Sequence, residues 1–179
     1  ESLDLDLFTN EQEQDFDSVN RTILSILADM DLRISSQVAT GTFLQYIVKN
    51  VAGVPLKIDV VKDVPIHFGA FQMEHLVRLD SLENIGSNKV LAVFGRTDAK
   101  DFIDLYWILH HTPLTFDHLF QCAKQKDLGL SELYLAYALE NVSRIKLFPR
   151  MLVPLAWDDI KTYFQELARA LLLRIKPEQ

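Results

Sequence analysis

Ser2-Leu3-Asp4-Leu5-Asp6-Leu7-Phe8 alternates polar and apolar residues with period two, the pattern of a β-strand. On a strand, Leu3, Leu5 and Leu7 share one face, expected to meet a core. Ser2, Asp4, Asp6 and Phe8 share the other. Asp4 and Asp6 then have Cα atoms about 6–7 Å apart on one side of the sheet. Like charges that close oppose folding unless something positive lies between them. A divalent cation meets that need, and a set of hard oxygen donors suits Mg²⁺ or Mn²⁺. The same alternation also describes a half-buried strand whose polar face meets only water.

The rest of the composition sets bounds. The chain has 179 residues, 49% hydrophobic and 24% charged, which supports one good core, or one core with an appended lobe. No apolar run reaches the length of a membrane span. One cysteine, Cys122, excludes an internal disulfide framework and predicts a cytoplasmic protein. As a small apolar residue it is expected in the core. The net charge of −7 is unevenly spread: residues 1–40 hold nine acids and two bases, residues 141–179 seven bases and four acids. An acidic front fits a cation site; a basic tail fits a polyanion, or simply solvated helix faces.

Along the chain, Thr9-Asn10 offers a helix cap, and Phe16, Val19, Ile23, Ile26 and Leu27 then recur at helical steps to about Asp29-Met30. Strands are expected at Ile34–Ala39, Phe43–Val48 and Val54–Val61, with Gly41-Thr42 and Lys49–Gly53 as connections. In the last strand Leu56, Ile58 and Val60 share a face, leaving Asp59 on the other. A lone buried carboxylate costs several kcal/mol, so Asp59 is either wet or partnered. Beside Asp4 and Asp6 it completes a three-carboxylate cage. His67 and His75 lack ligand spacing. Val77–Leu79 reads as a short strand. A helix over Asn88–Phe94 closed by Gly95 carries Lys89, and the next, capped at Thr97-Asp98, carries Asp101 and Asp104 on one face. Helices at Phe116–Lys126, Ser131–Ile145 and Trp157–Ile175 follow. The order is an α+β chain: a β-rich core over residues 1–86 with a small mixed or antiparallel sheet, then a helical region over 87–179.

These residues carry a resemblance. The opening Ser-Leu-Asp-Leu-Asp-Leu-Phe, Lys57-Ile-Asp59, the stretch Ile85–Ala92 around Lys89 with Gly95-Arg96, and Lys100-Asp101-Phe-Ile-Asp104-Leu-Tyr together resemble the AbiEii/AbiGii toxin family. That family lies within the DNA-polymerase-β-like nucleotidyltransferases. The likeness runs by motif from residue 1 to about Leu109. The resemblance implies Mg²⁺ or Mn²⁺ on Asp4, Asp6 and Asp59, with Asp59 also orienting or deprotonating an attacking hydroxyl. It implies a nucleotide phosphate contact for Lys89, and matches Asp101 and Asp104 to the family's last motif, Asp104 counted with the catalytic acids. Ser2, Arg96 and Lys100 join Lys89 and Asp101 as substrate contacts. The implied partners are an NTP, an RNA or tRNA acceptor and a cognate antitoxin. The family also carries a Gly-Gly or Gly-Ser phosphate turn upstream of its Asp-x-Asp strand. This sequence begins after that point, so the β-rich region is expected to be N-terminally incomplete. Two competing readings remain at this stage. One is an inactive interaction domain on the same fold. The other is a metal-dependent nuclease, although Lys57 precedes Asp59 where nucleases place the acid first.

Overall fold

The structure, a computed structural model, describes residues 4–149, 151 and 154–175. It is α+β, as the sequence predicts. The chain divides into two compact units, Glu1–His67 and Phe68–Gln179.

The first unit is a four-stranded mixed sheet with one helix. Strands β1 (Asp4–Thr9), β2 (Arg33–Ala39), β3 (Phe43–Lys49) and β4 (Pro55–Lys62) lie in the order β1-β4-β3-β2. The β2–β3 and β3–β4 pairs are antiparallel hairpins; β1 joins β4 in parallel. Gly53 closes the β3–β4 turn at φ 77°, a left-handed conformation that side chains resist, and donates its N–H to Asn50 O at 2.9 Å. Helix α1 (Phe16–Asp29) supplies Phe16 and Leu27 to a core with Leu44, Tyr46, Val48, Ile58 and Val60. Tyr46, fully buried, donates its hydroxyl proton to Asn20 Oδ1 at 2.6 Å, tying α1 to β3.

Strand alternation therefore sends Leu44, Tyr46, Val48, Leu56, Ile58 and Val60 toward α1, and Gln45, Lys57 and Asp59 to the opposite face. Leu5 and Leu7 fall on the α1 side by register but are 45% and 40% exposed, not core residues. The reason is position: β1 is an edge strand, and the helix packs over β2 and β3. Leu3 lies outside the described residues. The cap of α1 also differs from expectation. Thr9 stays in the ladder opposite Lys62, and Asp15 caps the helix through the N–H of Asp17 at 3.0 Å.

The second unit opens with a hairpin of β5 (Gln72–Glu74) and β6 (Val77–Leu79), followed by α2 (Leu82–Gly95), α3 (Ala99–His111), α4 (Phe116–Lys126), α5 (Glu132–Glu140) and α6 (Trp157–Arg174). Helix α2 starts six residues before the expected Asn88, because Ser81 caps it on the N–H of Asn84 at 2.9 Å. The predicted Ser131–Ile145 helix is α5 continued by a 3₁₀ turn at Asn141–Arg144. Buried side chains from all five helices, among them Val90, Phe102, Leu119, Leu139 and Phe164, form one core. Phe164 stacks edge-on against Phe102 and Tyr163, with ring centroids 5.1 and 5.2 Å away. No described helix is long and apolar enough to cross a membrane.

Truncating Phe164 to alanine leaves a cavity at the centre of that core. We expect a loss of about 3–5 kcal/mol in urea unfolding; a loss below about 1 kcal/mol contradicts the packing described.

Candidate active site

In the first unit the parallel register sets Asp4 opposite Lys57 and Asp6 opposite Asp59. Paired residues share a face, so Asp4, Asp6, Lys57 and Asp59 line the side of the sheet away from α1. Lys57 Nζ donates to Asp59 Oδ2 at 2.9 Å, and Gln45 Nε2, from β3, donates to Asp59 Oδ1 at 3.0 Å. Each oxygen of Asp59 thus has one donor, which fixes the plane of the carboxylate. The Lys57 ammonium is held above its ordinary pKa. The largest cause is its bond to Asp59, only partly offset by burial, and the charges of Asp4 and Asp6 add to it. The acids therefore already have one positive neighbour.

The three carboxylates bring hard oxygen donors to one side of the β1–β4 pair. That set fits Mg²⁺ or Mn²⁺. The fit is one of chemistry, charge and register. Among the described residues the oxygens of the three acids are not already gathered as a ready-made cluster.

In the second unit Lys89, from α2, bridges two acids of α3: Nζ lies 3.0 Å from Asp101 Oδ1 and 2.8 Å from Asp104 Oδ2. Asp101 is fully buried. Arg96, at the C-cap of α2, grips it with two bonds, Nε to Oδ2 at 2.7 Å and Nη2 to Oδ1 at 3.1 Å. Burial alone would raise the Asp101 pKa, but the Arg96 bonds and the Lys89 charge outweigh it, and the net shift is downward. Lys89 shows the mirror balance: burial lowers it, Asp104 and Asp101 raise it further, and the net shift is upward. Lys100 lies in the first turn of α3, its N–H accepted by the Asp98 cap at 2.9 Å. Ser2 lies outside the described residues.

The spacing of Asp101 and Asp104, three apart on one helix, foresaw a shared face; it did not foresee that both hold Lys89. Arg96, expected as a substrate contact, also bonds a buried acid through its guanidinium. Gln45, which bonds Asp59, is marked only weakly in the sequence. The only signal was a polar residue inside Phe43-Leu-Gln-Tyr-Ile-Val, on the face that Leu44, Tyr46 and Val48 leave open.

Comparison with known proteins bears on the family and the fold. Residues 1–171 match the family described as nucleotidyl transferase AbiEii toxin, type IV toxin–antitoxin system. A solved structure of an H. pylori protein assigned as a nucleotidyltransferase superposes with a TM-score of 0.57 at 16% identity, over 99% of this chain and 82% of the other. JHP933 from Helicobacter pylori superposes with a TM-score of 0.54 at 16% identity, over 96% of this chain and 75% of the other. At such identity the likeness shows a shared fold. No curated protein matches the sequence.

The buried Asp101 yields a stability prediction. A carboxylate whose pKa is lowered by folding stabilises the protein fully above its ordinary value of 3.8 and loses that contribution as pH falls through the lower folded value. Asp101→Asn strips the charge but keeps the shape, removing the buried anion that Lys89 and Arg96 both bond. Expected at neutral pH is a loss of about 3 kcal/mol, the low end for a broken buried pair because Arg96 is largely exposed. The difference between variant and parent should shrink below pH 4, followed by urea unfolding across pH. A pH-independent difference contradicts the ion-pair account.

Proposed function

The chain belongs to the AbiEii family of nucleotidyltransferase toxins of type IV toxin–antitoxin systems, and from that premise we propose that it transfers a nucleotide from an NTP to an acceptor hydroxyl. The observation that supports this most is the parallel register setting Asp6 opposite Asp59 with Asp4 on the same face. Asp4, Asp6 and Asp59 would hold Mg²⁺ or Mn²⁺. When bound, the ion supplies charge neutralisation to entering and leaving oxygens of an in-line displacement.

The remaining work falls to the chain's own groups. In the transfer, the acceptor oxygen bonds to the α-phosphorus, the bond from that phosphorus to the β-phosphate bridging oxygen breaks, and pyrophosphate leaves with the bonding electrons. The acceptor hydroxyl must give up its proton. Asp59 is the group we assign to receive or orient it, since Gln45 and Lys57 hold its carboxylate in one plane. Lys57 also restrains the repulsion among the three acids before substrate arrives. Within the second unit, Lys89 is the assigned phosphate contact. Asp101 and Asp104 position its ammonium and keep it charged. Asp104 is 38% exposed and open to substrate, unlike Asp101, whose role is to hold Lys89 and Arg96. Ser2, Arg96 and Lys100 complete the proposed substrate contacts, Arg96 only through whatever donor capacity Asp101 leaves it.

RNA is the proposed acceptor, tRNA first, supported by the excess of bases over acids in residues 141–179. A cognate antitoxin is the proposed protein partner and the cytoplasm the proposed compartment. The test is incubation of the protein with α-labelled NTPs and cellular RNA, with and without Mg²⁺. Label should enter RNA only with the metal. Asp6→Asn and Asp59→Asn should each lower transfer at least about 100-fold, several kcal/mol of lost charge stabilisation, with unfolding midpoints preserved. Undiminished transfer in both variants contradicts the proposal. RNA shortened rather than extended makes the protein a nuclease instead.

A further inference from the structure

Apart from the acids of β1 and β4, three side chains of unlike chemistry meet within the second unit. Glu83 comes from the first turn of α2, and His118 and Cys122 from α4, where a spacing of four puts them on one face. Glu83 Oε1 lies 2.6 Å from His118 Nε2 and 4.0 Å from Cys122 Sγ, and the sulfur is 3.8 Å from the same Nε2. All three ligand atoms fall within 4.8 Å of one another. The helices can approach this closely because Gly86 sits at their crossing: a Cβ there would stand 2.7 Å from Leu119 Cδ1.

The arrangement resists two simpler readings. A cysteine nucleophile with a histidine base needs one ring nitrogen on the sulfur and the other on the carboxylate. Here a single nitrogen, Nε2, faces both. Burial and the Glu83 charge also push the Cys122 thiol up, with Lys126 opposing only in part, so the sulfur is not activated. A plain histidine–glutamate pair, for its part, gives no reason for a thiol on the same point. Convergence of one nitrogen, one sulfur and one oxygen is the geometry of chelation. Around zinc, with bonds of about 2.0–2.3 Å, such atoms stand about 3.3–3.6 Å apart. The two sulfur distances exceed that by a few tenths of an ångström. The Glu83–His118 distance falls short because Nε2–H now donates to the carboxylate. Replacing that proton by a metal asks the carboxylate to retreat by less than about 1 Å. His118 is 50% exposed, so water has access to a fourth position.

We infer that Glu83, His118 and Cys122 form a binding site for a borderline-soft divalent cation, Zn²⁺ before all others, that clips α2 to α4. The mixed sulfur, nitrogen and oxygen set disfavours Mg²⁺ and Mn²⁺. It therefore stands independently of the nucleotidyltransferase reading.

Cobalt titration of the full, reduced chain tests this. The chain has one cysteine, so a sulfur-to-cobalt charge-transfer band reports on Cys122 alone. The band should saturate at one Co²⁺ per chain and vanish when an equal amount of Zn²⁺ is added. Zn²⁺ should also raise the Tm of the parent and leave that of Cys122→Ser unchanged. His118→Asn, a change at a half-exposed side chain that spares the core, should weaken Zn²⁺ at least about tenfold, as should Glu83→Gln; even outer partners of a metal cost that much. Absence of the cobalt band in the parent, or unchanged Zn²⁺ affinity in His118→Asn, overturns the inference.

Discussion

Everything proposed for the first unit rests on the parallel pairing of β1 with β4. Side chains alternate along a strand, so a slip of one residue would turn Asp4 and Asp6 toward α1 and leave Asp59 alone. The facing of β4 is fixed by its own core residues. Ile58 and Val60 are locked into the core with Leu44, Tyr46 and Val48, which fixes the face that Lys57 and Asp59 present. Edge strand β1 contributes little burial through Leu5 and Leu7, and brings two more carboxylates to an acid already there. Lys57 is what makes that pairing tolerable, and its raised pKa reflects the pull of all three acids.

The second unit uses charge differently. Asp101 is a buried anion whose two oxygens are both bonded by an arginine from the end of α2, one of them shared with a lysine from within that helix. Buried ion pairs of this kind add little net stability but are costly to break. Their value here is positional. Lys89 is drawn between Asp101 and Asp104, its ammonium fixed at 3.0 and 2.8 Å, where a free lysine would sample many rotamers. A preorganised point charge is what phosphate recognition gains from.

Local patterns carried much of this. Strand and turn signals placed β2, β3 and β4 nearly to the residue, apolar periodicity placed α4 and α6, and the Thr97-Asp98 cap marked the start of α3. Asp-x-Asp and Lys-x-Asp could be put on one face once strands were assumed. What escaped were features decided by distant partners. Thr9 and Asn10 have the chemistry of a cap, but the ladder with Lys62 keeps Thr9 extended and leaves Asp15 to start α1. Gly86 and Ser87 precede the helix expected at Asn88 but lie inside α2, which the Ser81 cap starts at Leu82. The exposure of Leu5 and Leu7 depends on strand order, which alternation does not encode. Glu83 and His118 stand 35 residues apart in sequence, and only the fold brings them together beside Cys122.

The central claim is that the β1–β4 acids bind a nucleotide through a divalent cation. Calorimetric titration of each of the four NTPs into the full chain, with and without Mg²⁺, tests it most directly. The account predicts binding of at least one NTP with Mg²⁺, none without it, and none to Asp6→Asn. Binding that ignores Mg²⁺, or that survives unchanged in Asp6→Asn, would contradict it.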